Sequence, residues 1–207
     1  MKTRSLVITT LLGAAVLGCA SITRADIVGS LYEGGANDWG NGSTVPSGTA
    51  NVTFSVPNGS LTFDSTAAAN GYTIGGWLAT GGASILTGSG EAGNTMDNVA
   101  VVMSGTVSVT HGETFNVTQD DGLVLTIDGF GVLSNPGPHA PTAYTGTYNG
   151  PTGNYAFTLD YWEIDGPPAV LKVDLPFTPS VPDGGTTAGL LGFGLLCLGT
   201  LRRKLNV

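Results

Sequence analysis

Cysteine is almost absent from this 207-residue chain: it has two, Cys19 and Cys197, both in apolar terminal stretches. The residues between them therefore hold no disulfide, no thiolate nucleophile and no Cys-based metal site. A domain of this size buries enough apolar surface to fold without disulfides, so their lack does not argue against export. Positive charge is nearly as scarce. The seven basic residues are Lys2, Arg4, Arg24, Lys172, Arg202, Arg203 and Lys204, and six of them lie in the two terminal segments. All fifteen acidic residues fall between Asp26 and Asp183, a stretch with Lys172 as its single base and a net charge of −14. Such a body is repelled by nucleic acid and by anionic lipid, and it attracts divalent cations. Long helices are discouraged as well, because 33 Gly and 11 Pro interrupt the chain. The glycines follow no period, which excludes collagen.

The ends carry an address. Lys2 and Arg4 precede an apolar run from Leu6 to Leu17, and small residues lead to Thr23-Arg24-Ala25 before Asp26. This order is that of a signal peptide, residues 1–25, cut after Ala25. Two alternatives stay open: an uncut membrane anchor, and a lipoprotein signal with Cys19 as the lipidated residue. At the other end, Val181-Pro182-Asp183-Gly184-Gly185 forms an exposed turn, an apolar run follows, and Arg202-Arg203-Lys204 closes it. Residues 186–201 are expected to be a short transmembrane segment, with the basic cluster held in the cytoplasm and the acidic body outside. The order VPD-x-G, Gly-rich apolar segment, basic cluster resembles the PEP-CTERM sorting signals, the VPDSG-CTERM variant in particular, with Gly184 in place of its Ser. The resemblance implies that the tail, residues 179–207, holds the protein transiently in the inner membrane until an exosortase cuts near the motif and releases the body to the cell surface.

The body, residues 26–178, reads as all-β, a sandwich or barrel of short antiparallel strands. Ala50, Val52, Phe54 and Val56 alternate with polar residues, as do Leu123, Leu125 and Ile127, and Tyr155, Phe157, Leu159 and Tyr161. Val99–Val109 is a longer β-branched run, Thr114–Thr118 alternates, and Ala169–Leu175 supplies a last strand. Turn-forming clusters separate them, such as GSGEAGN, NPGPHAP and GPTGN. One short helix is expected near Thr73–Thr80 with Thr73 as its N-cap.

From Gly105 to Leu175 the sequence resembles the protective-antigen-type domain of bacterial toxins, glycosidases and yeast flocculins, and its fibro-slime variant. The residues that carry the likeness are GTVSVTHGETFNVTQDDGLVLTIDG, then a variable loop from Gly131 to Gly153, then a hairpin NYAFTLDYWEIDGPPAVLKVDL. The segment before Gly105 fits that pattern poorly. In the sugar-binding flocculins two adjacent aspartates hold a Ca²⁺ that bridges to sugar hydroxyls. By resemblance Asp120 and Asp121 take those positions, with Asn135, Glu163 or Asp165 as candidates for further ligands. The competing reading is a hairpin turn at Asp121-Gly122 whose acidic side chains cap backbone amides.

Other chemistry has little support. His111 and His139 lie in turns with no ligand spacing, and no G-x-S-x-G elbow is present. Asp160, Glu163 and Asp165 cluster in sequence, but Asp160 and Glu163 fall on opposite faces of a regular strand, which reads as a solvated strand end. Trp39, Trp77 and Trp162 are candidate sugar platforms or core residues. The sequons at Asn41, Asn51, Asn58 and Asn116 read as accidental. The expected function is a non-enzymatic structural or adhesive surface protein, with Ca²⁺-assisted contact to extracellular polysaccharide. The alternatives are a matrix component without ligand and an exopolysaccharide hydrolase.

Overall fold

The computed structural model describes residues 27–35, 38–39, 42–57 and 61–176, all within the unit Thr23–Ser180. Among the described residues eleven strands and one α-helix follow in order, besides two short 3-10 turns: β1 (Ile27–Glu33), β2 (Val52–Val56), β3 (Leu61–Asp64), α1 (Ile74–Thr80), β4 (Ser84–Thr87), β5 (Val99–Val109), β6 (Thr114–Asp120), β7 (Gly122–Ile127), β8 (Phe130–Asn135), β9 (Thr142–Thr147), β10 (Gly153–Glu163) and β11 (Val170–Val173). They make a seven-stranded sheet, β4-β2-β1-β5-β10-β7-β8, and a four-stranded sheet, β3-β11-β6-β9. Every strand pair is antiparallel.

The period-2 patterns build the core. Val52, Phe54 and Val56 of β2, Leu123, Leu125 and Ile127 of β7, and Phe157, Leu159 and Tyr161 of β10 are all buried. Each such side chain contributes roughly 1.5–3 kcal/mol when fully removed from water. The spine is the β5–β10 ladder, whose register runs from Gly153 opposite Val109 to Glu163 opposite Val99. Glycine makes room for rings inside it: a Cβ at Gly29 would fall 2.1 Å from the Phe54 ring, its cross-strand partner.

Helix α1 forms where the sequence signals it. The Thr73 hydroxyl accepts the Gly76 amide at 3.1 Å, and Ile74, Trp77 and Leu78 share the buried face at i, i+3, i+4 spacing. Trp77 lies between Phe63 of β3, 4.5 Å away, and Tyr161 of β10, 5.7 Å away, both stacked. The Thr80 hydroxyl donates to the Trp77 carbonyl and accepts the Asp64 amide, which fixes the helix end to β3.

Three expectations are corrected. Asp121-Gly122 is not a hairpin turn: β6 belongs to the small sheet and β7 to the large one, so the chain changes sheets between Asp120 and Gly122. The stretch 131–153 is not simply a variable loop, because β8 takes up its first residues and β9 lies within it. Residues 154–175 are not a hairpin, since β10 pairs with β5 and β7 while β11 pairs with β3 and β6. Strands β1–β4, all before Gly105, are integral to the same two sheets. Among the described residues no helix is long and apolar enough to cross a membrane. The leader at 1–25, the span at 186–201 and the sorting residues Val181–Gly185 and Arg202–Lys204 lie outside the described residues.

Candidate metal centre

Two strand ends converge at one pole of the sandwich. β6 ends on Asp120 and β10 ends on Glu163, and Asp121 occupies the crossing between the sheets. The Asp120–Asp121 peptide is cis. Relative exposures are 5% for Asp120, 2% for Asp121 and 0% for Glu163, so three carboxyl groups are withdrawn from water together. One ligand oxygen from each lies within 4.8 Å of the other two.

Asp121 is held by the backbone. Its Oδ1 accepts the His139 amide at 2.8 Å, and its Oδ2 accepts the amides of Ile164 and Asp165 at 2.8 and 3.2 Å. It thus ties the loop after β8 to the turn after β10. The capping that the sequence offered as the competing reading is therefore real for Asp121, although the turn it would cap is not a hairpin. Gly122 is required by close approach: a Cβ there would sit 3.0 Å from the Gly137 amide nitrogen and 3.2 Å from the Gly42 carbonyl. The Tyr161 hydroxyl donates to the Asp120 carbonyl and meets Glu163 Oε2 at 3.2 Å. Glu163 Oε1 and Gln119 Oε1 are buried with no hydrogen-bond partner among the described residues.

The electrostatics follow from crowding like charges in a dry place. Burial, then the charge and hydrogen bond of Asp121, then the Asp165 charge push the Asp120 carboxyl up to about 7. Burial, then the Asp121 and Asp120 charges push Glu163 up to about 10. Burial and the neighbouring carboxyls also raise the Tyr161 phenol. An open cleft of about 250 Å³ reaches Asp120 and Asp121 from solvent, walled by Pro138, His139, Ala140 and Pro141 on one side and Asp165, Gly166 and Pro168 on the other.

The other sequence candidates separate clearly. Asp165 lines the cleft. Asn135 does not join the carboxyls: its amide donates to His139 Nε2 at 2.9 Å. His139 Nδ1 donates to the Ala140 carbonyl at 3.0 Å, so both ring nitrogens serve to shape the loop. His111 pairs through Nδ1 with the Gly150 carbonyl in a separate turn. Glu163 is not at a solvated strand end but fully buried, while Asp160 points to the other face of β10, its Oδ1 without a hydrogen-bond partner among the described residues. Trp77 and Trp162 are core, and Trp39 is half-buried with its indole N–H on the Asn98 carbonyl, so none is an open platform. Sequence reasoning missed Tyr161 and Gln119. The only signal for them was position, each next to or two residues from an acidic strand end.

The donors at the crossing are all hard oxygens in buried, charge-dense surroundings with orphaned acceptors, which suits Ca²⁺ and not a soft metal. Opposite oxygens around Ca²⁺, at about 2.3–2.6 Å each, are up to about 5 Å apart, and the 4.8 Å cluster falls within that span.

Comparison with known proteins adds two findings. Residues 180–205 match the VPDSG-CTERM motif. The VPDSG-CTERM tail covers only the C-terminal end, and the body is placed by its fold. It is similar to a PA14 sugar-binding domain from an RTX adhesin, at 20% identity and TM-score 0.53, covering 74% of this chain and 90% of that one. It is also similar to the PA14 domain of the antifreeze protein MpAFP, at 20% identity and TM-score 0.52, covering 74% and 81%. A likeness over 74% of the chain extends well beyond Gly105–Leu175, in agreement with the placement of β1–β4. No curated protein matches the sequence.

Proposed function

We propose that this chain is an exported surface protein of adhesive type, whose body binds extracellular carbohydrate through a Ca²⁺ held by Asp120 and Asp121, and whose tail is processed by an exosortase near Val181–Gly185. The observation that carries the reading is the buried aspartate pair that opens on a cleft with no Lys or Arg side chain beside it among the described residues. Ca²⁺ bound there would neutralise the pair and offer open coordination positions to sugar hydroxyls. Asp121 already has its orientation fixed by three backbone amides, so its lone pairs are preorganised. His139 and its loop shape one wall, and Asp165 adds charge at the mouth. The PA14 fold and the sorting motif support the same reading.

The reading is non-enzymatic. Among the described residues neither imidazole meets a hydroxyl: His111 Nδ1 lies on the Gly150 carbonyl, and the His139 ring nitrogens meet Asn135 and the Ala140 carbonyl. Asp160 and Glu163 face opposite sides of β10 and do not flank a common bond.

Retention of the purified protein on a panel of immobilised polysaccharides tests this. Binding is expected to disappear with a chelator and to return with Ca²⁺ but not with Mg²⁺ at matched ionic strength. Binding that is indifferent to chelator, or cation-dependent stability with no glycan retained, overturns the carbohydrate reading in favour of a ligand-free matrix component.

A further inference from the structure

We propose that Glu163 is a third anionic ligand, which closes the cation site from the interior, and that Tyr161 is the residue that positions it. This deepens the reading above and rests on Asp120 and Asp121 being ligands. Glu163 reaches the cluster from β10 in the large sheet, whereas Asp120 comes from β6 in the small one. A cation held by both therefore clamps the two sheets at this pole. Glu163 does not line the cleft, so no sugar replaces it. It is the floor of the site, with Asp121 and Asp120 between it and solvent.

Three observations converge. Glu163 is fully buried, its Oε1 has no hydrogen-bond partner among the described residues, and that carboxyl lies in the group of oxygens within 4.8 Å of one another. A buried carboxyl with an idle oxygen beside two others destabilises the empty protein. Its other oxygen lies 3.2 Å from the Tyr161 hydroxyl, and the same hydroxyl reaches the main-chain carbonyl of Asp120, so one phenol links the Glu163 carboxyl to the backbone that carries Asp120. The Tyr161 ring is itself locked by stacking on Trp77 at 5.7 Å, which stacks on Phe63 at 4.5 Å. Three carboxylates give the site a higher charge density than a pair, which favours Ca²⁺ and, among probes, trivalent lanthanides such as Tb³⁺.

Calorimetric titration with Ca²⁺ and luminescence titration with Tb³⁺ on the full chain, with thermal melts in chelator, test the proposal. Glu163→Gln is expected to weaken Ca²⁺ by at least about tenfold, the loss typical of even an outer-shell partner, while raising the melting temperature of the cation-free protein. A residue of purely structural value would lower both. Tyr161→Phe should weaken Ca²⁺ less than Glu163→Gln, because the carboxyl stays but loses its anchor. If Glu163→Gln does not fold, Glu163→Asp keeps the charge, retracts the oxygen, and should still lose affinity. Unchanged Ca²⁺ affinity in the Glu163 variant, together with a loss in Asp121→Asn, overturns this inference and leaves the aspartate reading standing. A wild-type protein that binds neither ion overturns that reading first.

Discussion

Asp64 and Asp120 occupy the same row of the small sheet, one on each side of Val170. The pleat gives them the same face, yet they are in opposite electrostatic situations. Burial would raise the Asp64 carboxyl, but hydrogen bonds from Lys172 and Thr66 outweigh it and hold the group below the ordinary carboxylate value. Its ion pair with Lys172 is 2.8 Å long, and the lysine side chain is 43% exposed. Among the described residues Asp120 has no such base and instead has Asp121 and Glu163 beside it. Lys172 is the only Lys or Arg between Asp26 and Asp183, and it is committed to Asp64. The protein thus neutralises one end of the row internally and, among the described residues, sets no base beside the other.

The contrast can be broken from either end. The largest effect is expected at Asp121. Asp121→Ala removes the acceptor of the part-buried amides of His139, Ile164 and Asp165, at about 1 kcal/mol for each hydrogen bond lost, so a loss of about 3 kcal/mol by denaturant unfolding is expected. The pH dependence comes next. Asp120 and Glu163 have raised values, about 7 and about 10, so between the ordinary carboxylate range and those values the folded state binds more protons than the unfolded one. The stability they contribute is complete near pH 4 and is lost as pH rises through 7 and toward 10. Melts in chelator should therefore fall steadily over that window, and saturating Ca²⁺ should flatten the slope. Asp64 has the reverse sign: its contribution is lost only as pH drops below the ordinary carboxylate value. A smaller effect separates the two aspartates directly. Asp120→Asn in chelator should stabilise by about 1 kcal/mol, because it removes a buried like charge, and should lose the Ca²⁺ response. Asp64→Asn should destabilise by about 0.5–1 kcal/mol, as expected for an ion pair with a half-exposed lysine, and keep that response. Melts of the two variants with and without Ca²⁺ check both signs.

Much of the sandwich was legible because its central strands are long and regular. Val99–Val109 needed only its β-branched run, and β10 only its alternating aromatics. Thr73 announced α1 through capping chemistry alone. The edges were not legible. β8 and β9 are six residues each, rich in Gly, Ser and Thr and partly exposed, so their pattern is that of a loop. The crossing at Asp121 was hidden for another reason: alternation tells which face a residue takes but not which sheet it belongs to. The aspartate pair was visible from resemblance, whereas the burial of Glu163 depended on how β10 ends beneath the crossing. Its parity relative to Asp160 put it on the inner face, yet the local charge made that face look wet.

The positions of the first and last described residues give the sandwich a mechanical direction. Val28, near the start of β1, lies against Ser104, and the Ser108 amide donates to the Pro176 carbonyl, so the chain enters and leaves beside the second half of β5. Glu163 sits at the other end, against Val99, about 30 Å away at strand rise. Were the protein held by the chain beyond Pro176 and by a ligand in the cleft, a pull between them would run along β11, from its last residues back toward Val170 and Asp120. Ladder hydrogen bonds lie across the strands, so this load shears β11 against β3 and β6 and strains many bonds at once instead of opening them one by one. A cation joining Asp120 to Glu163 would pass part of that force into β10 and the longest ladder in the molecule.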